Sequence, residues 1–193
     1  MNRIANGGSA FTRIINNTFP RWINRGEYQG VKPNGVEPEL VNMYPEEPCW
    51  KIIYFYPKDF TFVCPTEIVD FDNLVPELEK RNTILYGVSP DNEYCKLAWK
   101  NSNELLKNLR HTLIADVGNK LATEMGCLCE EEGVPYRATY IIDPEDNIKH
   151  VSMNPLNVGR NASEILRLLD ALQQGDTVLC PASRPVGGQN IEK

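Results

Sequence analysis

The sequence predicts an α/β domain, and three observations carry the prediction. Short apolar runs rich in β-branched and aromatic residues recur at Trp50–Tyr56, Thr83–Val88, Thr112–Ala115, Ala138–Asp143 and Ile148–Met153. Runs of this length read as strands. Between and after them lie stretches whose apolar residues fall on one helical face. The resulting order, β-α-β-α-β-α-β-β-α, runs through 193 residues with no internal repeat and no dividing linker. A chain of that length is most simply one domain with a sizeable core.

Residues 1–45 are polar and broken by Gly7, Gly8, Gly26, Gly30 and Gly35. They read as an extended arm or loose hairpin packed on a domain of residues 46–175. After the strand Trp50–Tyr56, a helix is expected over Cys64–Arg81, with Ile68, Phe71, Val75 and Leu78 inward and Pro76 bending it. Thr83–Val88 ends in the turn Ser89-Pro90-Asp91, and Asp91 or Asn92 caps a helix over Glu93–Leu106. Thr112–Ala115 is a short strand and Lys120–Met125 a short helix. Pro144-Glu145-Asp146-Asn147 reads as the turn joining the last two strands. A helix over Asn161–Gln173 starts with a capping-box-like Asn161 and Glu164, buries Ile165, Leu168, Leu169 and Leu172, and ends at Gly175. Residues 176–193 form a tail.

Hydrophobic content of 41% and charged content of 24% are ordinary for a globular protein. A net charge of −6 argues against nucleic acid or an anionic membrane as partner. No apolar run approaches a membrane span. The six cysteines lack the dense spacing of a secreted disulfide framework, so the reading is reduced, partly redox-active and cytoplasmic. One competing feature is the N-terminus, where Arg3, Arg13, Arg21 and Arg25 precede the first acidic residue, Glu27, as in an organelle presequence.

Cys64 falls where a strand hands over to a helix, with Pro65 suited to the first helical turn. A cysteine there faces unpaired backbone N–H groups and the positive end of the helix dipole, which favour thiolate over thiol. That makes Cys64 a candidate nucleophile; the competing reading is a buried structural cysteine. The spacing Pro57-x-x-x-Thr61-x-x-Cys64 resembles the peroxiredoxin signature. The run Asp59-Phe60-Thr61-Phe62-Val63-Cys64-Pro65-Thr66-Glu67 resembles the typical 2-Cys branch, which includes the peroxidase component of alkyl hydroperoxide reductase.

The resemblance implies a thioredoxin-like α/β sandwich with a central mixed β-sheet, and thiol-dependent reduction of hydrogen peroxide and organic hydroperoxides in antioxidant defence. It implies Cys64 as peroxidatic thiolate, Thr61 and Pro57 as its supporting loop, and Arg137 and Arg160 as cationic partners. Glu67, one turn into the helix, is placed to orient an arginine; the competing reading is a favourable charge at a helix N-terminus. It implies Cys180 as the resolving cysteine, acting on a partner subunit. A homodimer follows, and a ring of five dimers is consistent with the branch. No metal, haem, flavin or other cofactor is expected, and thioredoxin or a dedicated disulfide reductase is expected as electron donor. The family also supports holdase chaperones and redox-signalling scaffolds as an alternative. A thioredoxin-like disulfide reductase would want C-x-x-C, whereas residues 64–67 read Cys-Pro-Thr-Glu. Cys49 and Cys95 carry no signal, and the pair Cys127 and Cys129 beside Glu130-Glu131-Glu132 departs from the family pattern; no special role is the reading, with an accessory thiol pair or a metal site as its competitors. After Cys180, Pro181, Pro185, Gly187 and Gly188 disfavour a helix and no aromatic residue follows, so the tail is expected to unfold easily.

Overall fold

The computed structural model describes residues 28–191, so the arginine-bearing segment with presequence character lies outside the described residues. In chain order the strands are β1 (Tyr28–Val31), β2 (Glu39–Val41), β3 (Trp50–Phe55), β4 (Thr83–Ser89), β5 (Thr112–Ala115), β6 (Leu128–Cys129), β7 (Val134–Pro135), β8 (Arg137–Ile142) and β9 (Ile148–Asn154). The helices are α1 (Cys64–Asn73), α2 (Val75–Glu79), α3 (Glu93–Ser102), α4 (Lys120–Glu124) and α5 (Ala162–Leu172).

Seven strands form one sheet in the order β2-β1-β5-β4-β3-β8-β9. β3, β4 and β5 run parallel, and β8 and β9 complete the sheet antiparallel. The sheet is therefore mixed and central, with helices on both faces, as the resemblance implied. The hairpin of β1 and β2 extends this same sheet through β5.

Central strands are buried on both faces, so they read as continuous apolar runs. Ile53 and Phe55 of β3 face one core with Tyr86, Val88, Ile114, Tyr140, Leu121 and Ala122. Their neighbours Ile52 and Tyr54 face the other, with Ile68, Phe71, Leu78, Trp99, Ile165 and Leu169 from α1, α2, α3 and α5.

The single helix expected over Cys64–Arg81 is two. α1 stops at Asn73, Leu74 closes it with an N–H bond to the Phe71 carbonyl, and α2 starts with Pro76 in its first turn. Pro76 has no N–H for the Asp72 carbonyl four residues back; that oxygen accepts from Arg110 Nη2 at 2.8 Å instead. α3 ends at Ser102 rather than Leu106, and its cap is Asn92, whose side chain accepts from Cys95 N–H. Asn161 caps α5 through Ser163 N–H. Glu164 does not complete a capping box; it pairs with Arg167 at 2.7 Å. The β6–β7 hairpin has no counterpart in the sequence reading, because two-residue strands leave no periodicity to read.

The tail folds back along α5. Arg184 is its one buried residue between positions 176 and 191 and pairs with Asp170 at 2.6 Å. An ion pair thus supplies the anchor that a tail without aromatic residues otherwise lacks.

Candidate active site

Cys64 opens α1 at the C-terminal end of β3 and is fully buried. The preceding loop, Tyr56 to Val63, leaves the sheet between β3 and α1. Phe60 in it adopts a left-handed φ of 54°. For a bulky residue that conformation costs on the order of 1–3 kcal/mol and persists only when the surroundings impose it. They do so on both sides. The Phe60 ring lies 5.9 Å from that of Trp99. The Asp59 carboxylate is wholly buried, accepting from Ser89 Oγ at 3.0 Å and facing Lys96 Nζ at 3.4 Å. The Asp59 N–H donates to Asp91 Oδ2 at 2.7 Å.

Arg137, the first residue of β8, reaches the thiol. β8 is antiparallel to β3, so its start lies beside the end of β3. Arg137 Nη1 donates to Cys64 Sγ at 3.4 Å and to Glu67 Oε2 at 2.6 Å, while Nε donates to the Leu156 carbonyl at 2.7 Å. Burial opposes the charge on this guanidinium, but the Cys64 sulfur and the Glu67 carboxylate outweigh it and raise its pKa.

Glu67 lies one turn into α1 and is 2% exposed. It gathers a second arginine, since Arg160 Nε and the Arg160 backbone N–H both donate to Oε1, at 2.8 and 2.9 Å. Arg160 Nη1 donates to the Ala138 carbonyl at 2.7 Å, and the guanidinium lies 5.4 Å from the Tyr54 ring and 5.3 Å from that of Phe71. A buried carboxylate between two buried guanidiniums leaves one net positive charge facing the sulfur. Fixed fork geometry and permanent charge suit arginine to this task.

Pro57 is buried at the end of β3. Thr61 is half-buried, and its hydroxyl donates to the Lys58 carbonyl at 3.0 Å, keeping its acceptor capacity. Cys180 lies on the tail beside α5, half-buried. Cys64, Glu67, Arg137 and Arg160 are thus brought together, and Cys180 of the same chain is held elsewhere.

Sequence reasoning missed three contributors. The Leu156 carbonyl carries no side-chain signal. Lys96 shares a helix face with Trp99 but reads as one more surface lysine. Tyr54, Asp72 and His111 form a buried chain beneath the site: His111 Nδ1 lies 2.8 Å from Asp72 Oδ1 and Nε2 lies 2.7 Å from Tyr54 Oη.

A buried, arginine-paired cysteine at the first strand–helix junction of a mixed thioredoxin-like sheet defines a thiol-dependent oxidoreductase. Residues 33–151 match the model of the AhpC/TSA family. The alkyl hydroperoxide reductase C of Mycolicibacterium smegmatis is 44% identical over 131 residues, 68% of this chain and 67% of the relative. Peroxiredoxin-2 of Bos taurus is 42% identical over 146 residues, 73% of each chain. Among solved structures, the reduced 2-Cys peroxiredoxin of Plasmodium vivax superposes with a TM-score of 0.78 at 32% identity, covering 84% of this chain and 86% of that one. Enterococcus faecalis AhpC gives 0.73 at 34% identity over 80% and 93%. The chain belongs to the AhpC/TSA family of peroxiredoxins and is a thiol-dependent peroxidase.

Proposed function

We propose that Cys64 is the peroxidatic thiol and that hydrogen peroxide and organic hydroperoxides are its substrates. The observation that carries this is the 3.4 Å bond from Arg137 Nη1 to Cys64 Sγ at a helix start. The thiolate attacks one peroxide oxygen; a sulfur–oxygen bond forms, the O–O bond breaks, and the leaving oxygen takes a proton to depart as water or alcohol. Arg137 stabilises the charge that grows on that oxygen. Glu67 and Arg160 hold Arg137 in place, Pro57 keeps water from the thiol, and the Thr61 oxygen accepts from the incoming hydroperoxide.

The resulting sulfenic acid is resolved by Cys180 of the partner subunit, carried on the tail that starts near residue 176. A homodimer is the unit this requires, and a ring of five dimers its higher assembly. Thioredoxin or a dedicated disulfide reductase returns the disulfide to thiols by exchange. The cycle needs no bound cofactor and suits the cytoplasm, where dithiol reductants are kept reduced. Among the described residues no helix is long and apolar enough to cross a membrane.

Cys64→Ser tests the assignment. Peroxide consumption coupled to a dithiol reductant should vanish, and undiminished consumption would refute it.

A further inference from the structure

Tyr54 of β3 is fully buried, yet it carries a hydroxyl that a phenylalanine would not bring into the core. A hydroxyl at that depth costs free energy unless it is bonded, and here a chain of side chains bonds it. Tyr54 Oη lies 2.7 Å from His111 Nε2, and His111 Nδ1 lies 2.8 Å from Asp72 Oδ1. Asp72 is fixed in turn by Arg110, whose backbone N–H donates to Oδ1 at 2.6 Å and whose Nε donates to Oδ2 at 3.0 Å. The space for the hydroxyl is left by Gly87 of β4, the register partner of Tyr54: a Cβ on Gly87 would stand 2.5 Å from Oη. The ring is set as firmly as its tip. It stacks on Phe71 of α1 with centroids 4.3 Å apart and planes 6° from parallel. The Arg160 guanidinium rests against both rings, 5.4 Å from that of Tyr54 and 5.3 Å from that of Phe71. Arg160 also grips both oxygens of Glu67, from Nε at 2.8 Å and from Nη2 at 3.2 Å. Glu67 in turn holds Arg137 against Cys64 Sγ. The series begins and ends on α1, at Asp72 in its last turn and Cys64 at its start.

We propose that Tyr54 is a positioning residue for the peroxide reaction: its ring, locked by His111 and Asp72, is the platform that sets Arg160 and, through Glu67, the Arg137 donor at Cys64. The proposal rests on the reading of Cys64 as the peroxidatic thiol. Among the described residues the Arg160 side chain bonds Glu67, Ala138 and Thr139 rather than the sulfur. Its contribution is therefore to place the carboxylate that holds Arg137. The face of an aromatic ring attracts a cation through its quadrupole, most strongly where water is excluded. A flat and immobile face fixes the guanidinium in depth and in orientation. An aliphatic side chain would fill the same volume and do neither. The tether matters because a ring bonded at its tip cannot slide over Phe71. Nothing in this device touches the peroxide, so its effect on the reaction passes through the arginines alone.

Stopped-flow oxidation of Cys64 by hydrogen peroxide in the full chain tests this, with unfolding by denaturant followed alongside. Tyr54→Leu removes the platform and should slow the first oxidation about tenfold, the scale of a desolvated contact between a cation and a ring. Tyr54→Phe keeps the face, loses the tether and should recover most of that rate. His111→Gln keeps the ring, loosens the tether and should slow oxidation by about threefold. Tyr54→Leu and His111→Gln are then each combined with Arg160→Met. A platform that acts through Arg160 has nothing further to lose in that background. A residue that only fills the core gives the same fold-loss with or without Arg160. Equal losses in both backgrounds, or a wild-type rate in a folded Tyr54→Leu chain, would overturn the platform. Should Tyr54→Leu fail to fold, the pairing of His111→Gln with Arg160→Met decides by itself. A wild-type chain whose Cys64 thiol survives hydrogen peroxide would overturn the peroxidatic reading instead.

Discussion

Arg137 Nη1 is shared between Cys64 Sγ, at 3.4 Å, and Glu67 Oε2, at 2.6 Å. The nitrogen that faces the Cys64 sulfur is thus the one the carboxylate holds most tightly. Glu67 fixes where the charge lies, and the sulfur benefits from a cation that does not need to search.

Arg137→Ala should therefore slow peroxide reduction more than any change at a surface arginine. Removing one preorganised donor from a developing anion costs about 10²-fold or more. Stopped-flow oxidation of Cys64 measures this, and a rate within twofold or so of wild type would move the role to another group. Arg137→Lys should recover only part of the loss, since an ammonium cannot reach Cys64, Glu67 and Leu156 as one rigid fork.

Glu67→Gln should leave Arg137 and Arg160 facing each other without their shared carboxylate. Truncating one partner of a buried ion cluster typically costs about 3–5 kcal/mol. Chemical denaturation should report a loss on that scale, together with a slower first oxidation of Cys64. A variant that is destabilised but reacts at the wild-type rate would separate Glu67 from catalysis and leave it a structural residue.

Cys64 stood out in the sequence because a strand hands over to a helix there inside a dense local motif, whereas Arg137 and Arg160 were candidates only through the resemblance to peroxiredoxins; the structure places all three around Glu67. The strands of the central sheet were legible for the same kind of reason, since apolar runs such as Ile52 to Phe55 are buried on both faces. What escaped depended on partners distant in sequence. Arg184 becomes an anchor only because α5 brings Asp170 beneath it. Lys96 becomes buried only because the loop at Asp59 closes over it. Pro76 reads as a bend in the sequence. The helix breaks near it because Pro76 offers no N–H to the Asp72 carbonyl, and Arg110, distant in sequence, satisfies that oxygen instead.

Lys96→Met should cost about 3–5 kcal/mol of stability by stranding the Asp59 carboxylate, and Asp59→Asn in the same chain should restore much of it. Burial already pushes both groups towards their neutral forms, raising the pKa of Asp59 and lowering that of Lys96. Additive losses in the double variant, by urea denaturation, would mean the two residues are not coupled.

Acid sensitivity should come from His111. Burial holds its pKa below the ordinary 6.5, despite the opposing pull of Asp72. A neutral ring donating from Nδ1 to Asp72 and accepting at Nε2 from Tyr54 satisfies every group. The unfolded chain takes up the proton first, so the stability contributed by this group is complete above 6.5 and is lost as pH falls through the folded value. Asp72 adds a second loss below its ordinary 3.8. Burial works to raise its pKa, but the hydrogen bonds from His111 and Arg110 outweigh burial and lower it. His111→Gln should flatten the first loss by up to one proton, about 1.4 kcal/mol per pH unit. An unaltered acid slope in melts between neutral and mildly acidic pH would contradict this.

The antiparallel placement of β8 beside β3 has a consequence during synthesis. Cys64 and Arg137 are 73 positions apart, and only the pairing of these two strands brings them together. A ribosome-bound chain of which Cys64 but not Arg137 has emerged exposes the thiol without its cation. The thiol gains that partner only after the second half of the sheet has docked. On the reading of Cys64 as the peroxidatic thiol, its activation by Arg137 waits for β8 to pair with β3, and reactivity becomes a late product of folding.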